Sequence, residues 1–378
     1  MMFMAVLLGA GGVTGPFDLA VRIGNKMTPL TTWYTVSLNG GYVAAGCGMK
    51  YSPFSSISVT TVPVGSTVRR ALLYWAVQCP PPEQAVFAQG NINGNPVTGI
   101  KIGTDVDPCW GQDTSWAYRA DVTPFVSGNG IYNLSGFYNQ GGTVPVATGA
   151  SLFIIYENPM SPYVTVCVNE GNMDVPIGPL GYNAIYQITG FTALAPVTAS
   201  LSISAQDGQI SPDGPLYFNS VMINPNPVFE GRDPPIGNFW DTMTWDVSAL
   251  VSDGATTATV WMTHPGSGDC VNLIASCFST TSADPANESV DEKVSLPDNV
   301  LGLTPEGLSG RLRLISGLRQ DIRLSVYEAG GRLVATRDMK GLEVGEYHAD
   351  FSGLGRGVFM VVAESNLGAR AGARMVVR

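Results

Sequence analysis

Histidine, the side chain that enzymes most often use for proton transfer near neutral pH, is nearly absent from this sequence. The 378 residues contain two histidines, His264 and His348. They fall in different predicted domains, so a Ser-His-Asp or Cys-His arrangement in the larger part of the chain would have to use His264. The Gly-x-Ser-x-Gly elbow, the phosphate-binding loop and the His-Glu-x-x-His zinc motif are also missing. These observations predict a protein that is not an enzyme.

Carboxylates are the next candidates, since a glycosidase needs two that face each other across the bond it breaks. Most aspartates before residue 280 stand in sequences that favour turns. Asp121 and Asp246 are each followed by Val and a hydroxyl residue, and we expect both to cap turns by accepting backbone N–H groups. Asp207 and Asp213 precede glycines in loops. Calcium binding by their carboxylates is one interpretation, and ordinary Asp-Gly turns are the other.

Aromatic residues gather around the two aspartates predicted to cap turns. We expect Trp75, Tyr118 and Trp245 to lie in a hydrophobic core, because each belongs to an apolar, alternating segment. Trp110 follows a cysteine and Trp240 follows a loop rich in proline and glycine. These two tryptophans are therefore the predicted surface candidates for stacking against a sugar ring.

The six cysteines all precede residue 280, and no two of them form a Cys-x-x-Cys pair. With a single histidine in this part of the chain, a zinc site is not indicated. An even number of cysteines in an exported chain favours disulfides, and buried free thiols are the alternative. We expect a bond between Cys79 and Cys109, since both end predicted strands in proline-rich loops.

A fixed order of segments occurs twice in the sequence. The stretch that begins at Asp121 matches the stretch that begins at Asp246, and the upstream strand at Val68 matches the strand at Val197. Each match is followed by an apolar strand. The recurrence predicts two tandem β-sandwiches of similar topology, over residues 16–190 and 191–281.

Composition supports an all-β protein. Glycine (45) and proline (26) are abundant, whereas charged residues make up only 13% of the chain. The net charge of −10 speaks against nucleic acid as a partner. Residues 1–15 resemble the apolar part of a secretory signal, and no later stretch reaches the ~18 uninterrupted apolar residues of a membrane span. We therefore expect the protein to be exported.

The sequence changes character after residue 280, where most of the arginines lie. Residues 282–305 show no periodicity and predict a linker. Residues 306–378 contain short alternating strands and predict a small Ig-like β-sandwich.

This last part resembles the C-terminal sorting domain of the type IX (Por) secretion system. The resemblance rests on Leu324-Ser-Val-Tyr-Glu-Ala-Gly-Gly-Arg-Leu-Val, on Gly345-Glu-Tyr-His-Ala-Asp-Phe-Ser, on Gly357-Val-Phe-Met-Val-Val, and on the basic ending Arg374-Met-Val-Val-Arg. It implies export and attachment to the outer cell surface, with the secretion and attachment machinery as partners.

Residues 60–280 resemble an uncharacterised family of extracellular bacterial and archaeal β-sandwich proteins. The matching stretches are Ala71-Leu-Leu-Tyr-Trp, Ala120-Asp-Val-Thr, Gly149-Ala-Ser-Leu-Phe-Ile-Ile-Tyr-Glu, Ala205-Gln-Asp-Gly-Gln, Trp245-Asp-Val-Ser and Gly268-Asp-Cys. The leading hypothesis is a non-catalytic structural or adhesive surface protein, which binds glycan or like subunits. A carbohydrate-binding module and an extracellular hydrolase are the alternatives.

Overall fold

A computed structural model describes residues 27–107, 109, 113–139, 141–175, 183–235, 237, 239–263, 268–283, 293–294, 301–305, 311–316, 320–328, 332–342, 345–351, 353–366 and 370–377. Within them every regular element is a strand or a short 3-10 turn, which confirms the all-β prediction. No helix in this part of the chain is long and apolar enough to cross a bilayer. The predicted signal-like segment, residues 1–15, lies outside the described residues.

The strands are β1 (Thr28–Gly48), β2 (Ser55–Val59), β3 (Thr67–Cys79), β4 (Gln89–Ile92), β5 (Asn95–Thr98), β6 (Ile100–Asp107), β7 (Asp113–Asp121), β8 (Gly130–Ser135), β9 (Val146–Glu157), β10 (Tyr163–Val175), β11 (Asn183–Thr189), β12 (Ala199–Gln206), β13 (Leu216–Phe218), β14 (Val221–Asn224), β15 (Trp240–Asp246), β16 (Thr257–Thr263), β17 (Val271–Thr281), β18 (Lys293–Val294), β19 (Leu301–Pro305), β20 (Arg311–Ser316), β21 (Gln320–Glu328), β22 (Leu333–Leu342), β23 (Gly345–Asp350), β24 (Gly357–Ser365) and β25 (Arg370–Val377). The 3-10 turns are Ala85–Ala88, Thr123–Phe125 and Ser248–Leu250.

The first sandwich has an inner sheet in the order β1-β9-β3-β7-β6 and an outer sheet in the order β2-β8-β4-β5. Side chains along a strand point alternately to its two faces. In β3, Leu73 and Trp75 therefore pack toward the outer sheet, whereas Leu72 and Tyr74 face the opposite way. All four side chains are buried, so the inner sheet is covered on both faces.

The second sandwich repeats most of this arrangement in the same strand order. Its inner sheet has the order β1-β10-β17-β12-β15 and its outer sheet the order β11-β16-β13-β14. Strands β10, β17, β12 and β15 thus correspond to β1, β9, β3 and β7 of the first sandwich. The outer sheets correspond equally well, with β11, β16, β13 and β14 in the places of β2, β8, β4 and β5. Among the described residues, β6 has no counterpart in the second sandwich, and the first half of β1 has none in the first. The prediction of two sandwiches of similar topology is confirmed.

The register of the repeat differs from the predicted alignment by one residue. Leu72 lies opposite Asp121, and Ser200 lies opposite Asp246. Leu72 therefore corresponds to Ser200, whereas the match of Val68 with Val197 would have placed it on Leu201. A shift of one residue turns every side chain of a strand to the other face, and only the strand pairing reveals it.

One strand joins the two sandwiches. The first half of β1, up to Asn39, pairs with β10, and its second half, from Gly40, pairs with β9. At Gly40 a side chain would collide with the backbone carbonyl oxygen of Tyr156. Glycine therefore allows the strand to pass from one inner sheet to the other.

The strand pairing also shows that the predicted boundary between the sandwiches, at residue 190, is wrong. Residues 28–39, 163–175 and 183–189 belong to the second sandwich, although they precede the predicted boundary at residue 190. The reason is that β1 serves both sandwiches, so no single position in the chain divides them.

The two inner sheets face each other and enclose a third core, built from residues such as Val36, Phe153, Val166 and Ile274. The strands from β1 to β17 therefore form four stacked sheets. A buried ion pair crosses this middle layer: Arg119 Nη1 donates to both carboxylate oxygens of Glu170, at 2.7 and 2.8 Å. The guanidinium also lies 3.5 Å from the ring centroid of Trp33.

The C-terminal part forms a separate small core. A three-stranded sheet, β19-β20-β23, and a four-stranded sheet, β22-β21-β24-β25, contribute buried residues such as Leu314, Leu324, Val361 and Met375. This unit starts at Leu301, inside the predicted linker of residues 282–305. Residues 293–294, also within that linker, pair with Tyr34 and Thr35 of β1.

Candidate functional site

The loops at one end of the two sandwiches bring a lysine and several carboxylates together. The lysine cluster, as we name it, consists of Lys50, Asp207, Phe239 and Asp269. Lys50 follows β1 on the first sandwich, whereas the other three residues lie in loops next to β12, β15 and β17 of the second. The backbone fixes this arrangement, because Gly48 N–H donates to the carbonyl of Pro234 at 3.0 Å.

Lys50 is buried, with only 7% of its surface exposed. Its Nζ lies 3.1 Å from the ring centroid of Phe239 and 5.3 Å from that of Tyr51. Burial lowers the pKa of this lysine to about 8, while the nearby negative charges of Asp207 and Asp269 act in the opposite direction. The amine is therefore partly neutral slightly above neutral pH, as a nucleophilic lysine must be.

Two neighbouring residues of the cluster have strained backbones. Asp207 has a φ of 69° and Phe239 a φ of 61°, in the left-handed region that glycine favours. Asp207 N–H donates to the carbonyl of Phe239 at 2.9 Å. Strain of this kind persists where the surroundings hold a side chain in one place, and it is concentrated at functional sites.

One carboxylate oxygen of Asp269 accepts two hydrogen bonds. Its Oδ1 accepts the Nε2–H of Gln209 at 2.8 Å and the backbone N–H of Cys270 at 3.1 Å. Burial raises the pKa of Asp269 to about 7, and the negative charges of Asp107 and Asp213 add to the effect. This carboxyl group can therefore accept and release a proton near neutral pH.

The neighbouring aspartates hold loops in place. Both oxygens of Asp213 accept backbone N–H groups, from Val228 and Phe229, each at 2.7 Å. Asp241 accepts those of Gly231 at 2.7 Å and Arg232 at 2.9 Å. Burial raises the pKa of Asp213 to about 7, and these donors oppose the shift. Carboxylates that accept several backbone N–H groups stabilise the conformation of the loops that contain those groups.

The calcium interpretation of Asp207 and Asp213 finds no support in this geometry. Among the described residues, the group of three or more His, Cys, Asp or Glu side chains close enough to share an ion is Asp107, Cys109 and Cys270. Two of its three members form a disulfide. The predicted pair is not part of it, because the oxygens of Asp213 are turned toward the backbone.

The disulfide joins Cys109 to Cys270, so the predicted bond between Cys79 and Cys109 is wrong. Cys79 forms no disulfide; it lies in the core of the first sandwich, and its Sγ donates to the carbonyl of Pro80. Cys109 follows β6, which has no counterpart in the second sandwich, and it reaches across to the residue before β17. The remaining free cysteines, Cys47, Cys167 and Cys277, are buried.

Trp240, a predicted surface candidate, is fully buried between the inner sheets, so that prediction is wrong. Its Nε1–H donates to Ser151 Oγ at 2.9 Å. A side chain at Gly149 would collide with its ring, so glycine provides the space. The physical reason is that Trp240 begins β15 rather than ending the loop. Trp110 lies outside the described residues.

The three aromatic residues that were predicted to lie in a core are all at least partly buried. Trp75 and Tyr118 are fully buried and stack on each other with ring centroids 5.7 Å apart. Trp245 is half-buried against the core of the second sandwich.

Asp121 and Asp246 make the turn contacts expected of them. Asp121 Oδ1 accepts the N–H of Thr123 at 3.0 Å and its hydroxyl at 2.6 Å. Asp246 Oδ1 accepts the N–H of Ser248 at 2.9 Å and its hydroxyl at 2.5 Å. The two turns are therefore the same structure in the two sandwiches.

Two features were not found from the sequence. The first is the lysine cluster. The sequence feature that could have drawn attention to Lys50 is the scarcity of lysine, since it is one of three lysines before residue 280. The second is an apolar row on the solvent face of the second sandwich's outer sheet. It consists of residues paired across four strands, Ile185, Trp261, Tyr217 and Met222. The rings of Tyr217 and Trp261 stack at 3.8 Å.

Comparison with known proteins gives a family but no activity. A family model described as "Protein of unknown function (DUF3344)" matches residues 22–280. A search of curated proteins finds no relative of the chain.

Among solved structures, the chain is similar to a β-glucuronidase of Bifidobacterium dentium complexed with coumarin-3-O-glucuronide, at 12% identity and a TM-score of 0.19, over 53% of this chain and 40% of that one. It is also similar to a β-glucuronidase of Ruminococcus gnavus in complex with D-glucuronic acid, at 11% identity and a TM-score of 0.19, over 57% and 36%. The chain thus spans less than half of these enzymes, and TM-scores this low carry no argument about activity.

Proposed function

Since the chain belongs to the DUF3344 family of proteins of unknown function, we propose its role from its architecture: a non-catalytic structural or adhesive protein of the outer cell surface. The observation that supports this role most is that the two sandwiches are joined both covalently and by a shared hydrophobic core. They share β1, bury a common core between their inner sheets, and are joined by the Cys109–Cys270 disulfide across 161 residues of sequence. We expect this arrangement to keep the two sandwiches together under load.

The disulfide also supports an extracellular location. Disulfides form and persist in oxidising compartments, outside the cytosol. Both cysteines lie at the junction of the sandwiches, so oxidation stabilises their arrangement relative to each other. The C-terminal unit, with its resemblance to a sorting domain, is the proposed export signal.

The proposal is tested on intact cells of the source organism. We expect externally added protease to degrade the full-length protein, and we expect the thiols of Cys109 and Cys270 to resist alkylation until a reductant is added. A chain that lacks residues 301–378 should remain inside the cell. Full-length protein that stays inside, with both cysteines reduced, would contradict the proposal.

Glycan binding is the second candidate, and the apolar row on the outer sheet favours it. Met222 is 51% exposed, and Tyr217 and Trp261 are half-buried beside it. Exposed apolar patches on a soluble domain commonly mark binding surfaces, and threonine hydroxyls of β16 lie along the row.

A glycan array with the full-length protein tests this candidate. Binding should be lost in Trp261→Ala and retained in Ile131→Ala, a matched control. Ile131 is an exposed apolar residue on β8, the strand of the first sandwich that corresponds to β16. Equal loss in both variants, or no binding at all, would rule this candidate out.

A further inference from the structure

We propose that Lys50 and Asp207 condense to form an isopeptide bond, a second covalent link between the first and the second sandwich. The inference goes beyond the proposed function, because it concerns a chemical bond within the chain. The bond does not depend on whether the protein is at the cell surface or is adhesive. The inference rests on the geometry of the lysine cluster.

Both partners contact Phe239, and Asp207 lies near enough for its charge to act on the amine of Lys50. The amine of Lys50 lies over the ring of Phe239 at 3.1 Å, while the backbone carbonyl of Phe239 accepts the N–H of Asp207 at 2.9 Å. The left-handed backbone of both residues in the second sandwich fixes these positions. Reaction within a protein is fast where such contacts hold the reacting groups close together beforehand.

The cluster is shielded from water. Asp207 is fully buried, Asp269 is 4% exposed, and the rings of Phe239 and Tyr51 cover the amine. Burial disfavours the charged form of each group, so it makes the neutral amine and the neutral acid easier to reach than they would be in water. Those neutral forms are the ones that react. In water the same condensation would be opposed by solvation of the ammonium and the carboxylate.

The reaction needs no other reagent. Lys50 Nζ attacks Asp207 Cγ, so a C–N bond forms, and the C–O bond to the hydroxyl group breaks as water leaves. Asp269 takes the proton from the nitrogen and returns it to the departing hydroxyl, so it ends as it began. Its Oδ1 is oriented by Gln209 and Cys270, and its pKa of about 7 suits this exchange.

The position of the bond gives it a mechanical consequence. Lys50 follows β1 and Asp207 follows β12, while the disulfide joins the end of β6 to the start of β17. Both links would lie at the same end of the sandwiches and would span different pairs of strands. Reduction of the disulfide would then leave the two sandwiches covalently joined.

Intact-protein mass spectrometry of the purified full chain, denatured and reduced, tests the proposal. We expect the chain to be lighter than its sequence by one water. Lys50→Arg, which keeps the positive charge over Phe239, should have the full mass of its sequence, and so should Asp207→Ala. Proteolysis of the wild type should yield one branched peptide that contains both Lys50 and Asp207.

The wild-type measurement is decisive even if the variants fold poorly. A wild-type mass equal to that of the sequence overturns the proposal, and so does a water loss that persists in Lys50→Arg. A branched peptide that joins Lys50 to Asp269 instead would overturn the assignment of Asp207 as the acceptor.

Discussion

The two sandwiches have the same strand order and the same aspartate turn, but their loops differ where the inner sheets meet. The first sandwich contributes Lys50 and Cys109 at this end, and the second contributes Asp207, Asp269 and Cys270. Each loop set is incomplete alone, and together they form a disulfide and a lysine–carboxylate cluster. The repeated strand order thus brings different loops of the two sandwiches together. The reactive side chains lie in these loops and not in the repeated strands.

The outer sheets differ in the same way. The first sandwich exposes Ile131 and Asn133 on β8, whereas the corresponding strand of the second sandwich, β16, presents Trp261, which stacks on Tyr217 of β13. The inner faces of both sheets are equally apolar, because each must bury a core. The solvent faces carry no such requirement, so the difference between them supports the proposed glycan-binding surface on the second sandwich.

The largest expected effect concerns the ion pair across the middle layer. Glu170→Gln should lower the free energy of unfolding by about 3–5 kcal/mol, because it leaves Arg119 buried without its charged partner. The double variant Arg119→Met/Glu170→Met should lose much less, since it removes both charges. Urea denaturation measures the differences.

The control for this prediction comes from the second sandwich. Thr244 takes the place of Arg119 in β15 and is exposed. Thr244→Ala should cost only about 1 kcal/mol, because it removes a single neutral hydrogen bond, between Thr244 Oγ1 and Ser202 Oγ at 2.6 Å. Equal losses from Glu170→Gln and Thr244→Ala would show that the two inner sheets do not depend on this contact.

A pH effect should distinguish the acidic second sandwich from the first. Burial raises the pKa of Asp213 and Asp269 to about 7, whereas an ordinary aspartate has a pKa of about 3.9. Between these values the folded state binds more protons than the unfolded state. These two groups therefore make the free energy of unfolding fall as the pH rises from about 4 to about 7.

Urea midpoints across this range, compared between the wild type and Asp269→Asn, isolate the contribution of one group. The variant should lose less stability than the wild type as the pH rises. Asp246→Asn is the exposed control and should not show this change, because hydrogen bonds from Ser248 lower the pKa of Asp246. Parallel curves for the wild type and Asp269→Asn would refute the prediction.

The smallest effect tests whether the repeated turns are equivalent. Asp121→Ala and Asp246→Ala should each cost about 1 kcal/mol, the usual value of a capping side chain. Asp121 also lies 3.5 Å from the guanidinium of Arg70, but an exposed ion pair adds little. Thermal or urea unfolding measures both variants. A clear difference between them would mean that the two turns play unequal roles.

Much of the fold was predictable because it depends on local patterns. Alternating apolar residues and turn residues at short intervals indicated strands throughout the chain. The recurrence of the sequence around Asp121 and Asp246 indicated two like sandwiches. The turn contacts of both aspartates involve residues two positions away, so the sequence was sufficient to predict them.

The site was less predictable because its residues are distant in sequence. Cys79 and Cys109 were paired by proximity in the chain, yet Cys109 bonds to a residue 161 positions away. Trp240 stands beside a loop, but the strand that it begins lies between two sheets.

The order of residue types was enough to show that this protein is made of strands, that it contains a duplicated frame, and where the paired turns lie. Which cysteines bond, which tryptophan is buried and which lysine lies beside which carboxylates follow only from the folded arrangement. The reason is physical: periodicity and turn chemistry act over a few residues, whereas these contacts depend on how β1 passes from one inner sheet to the other and brings separate loops together.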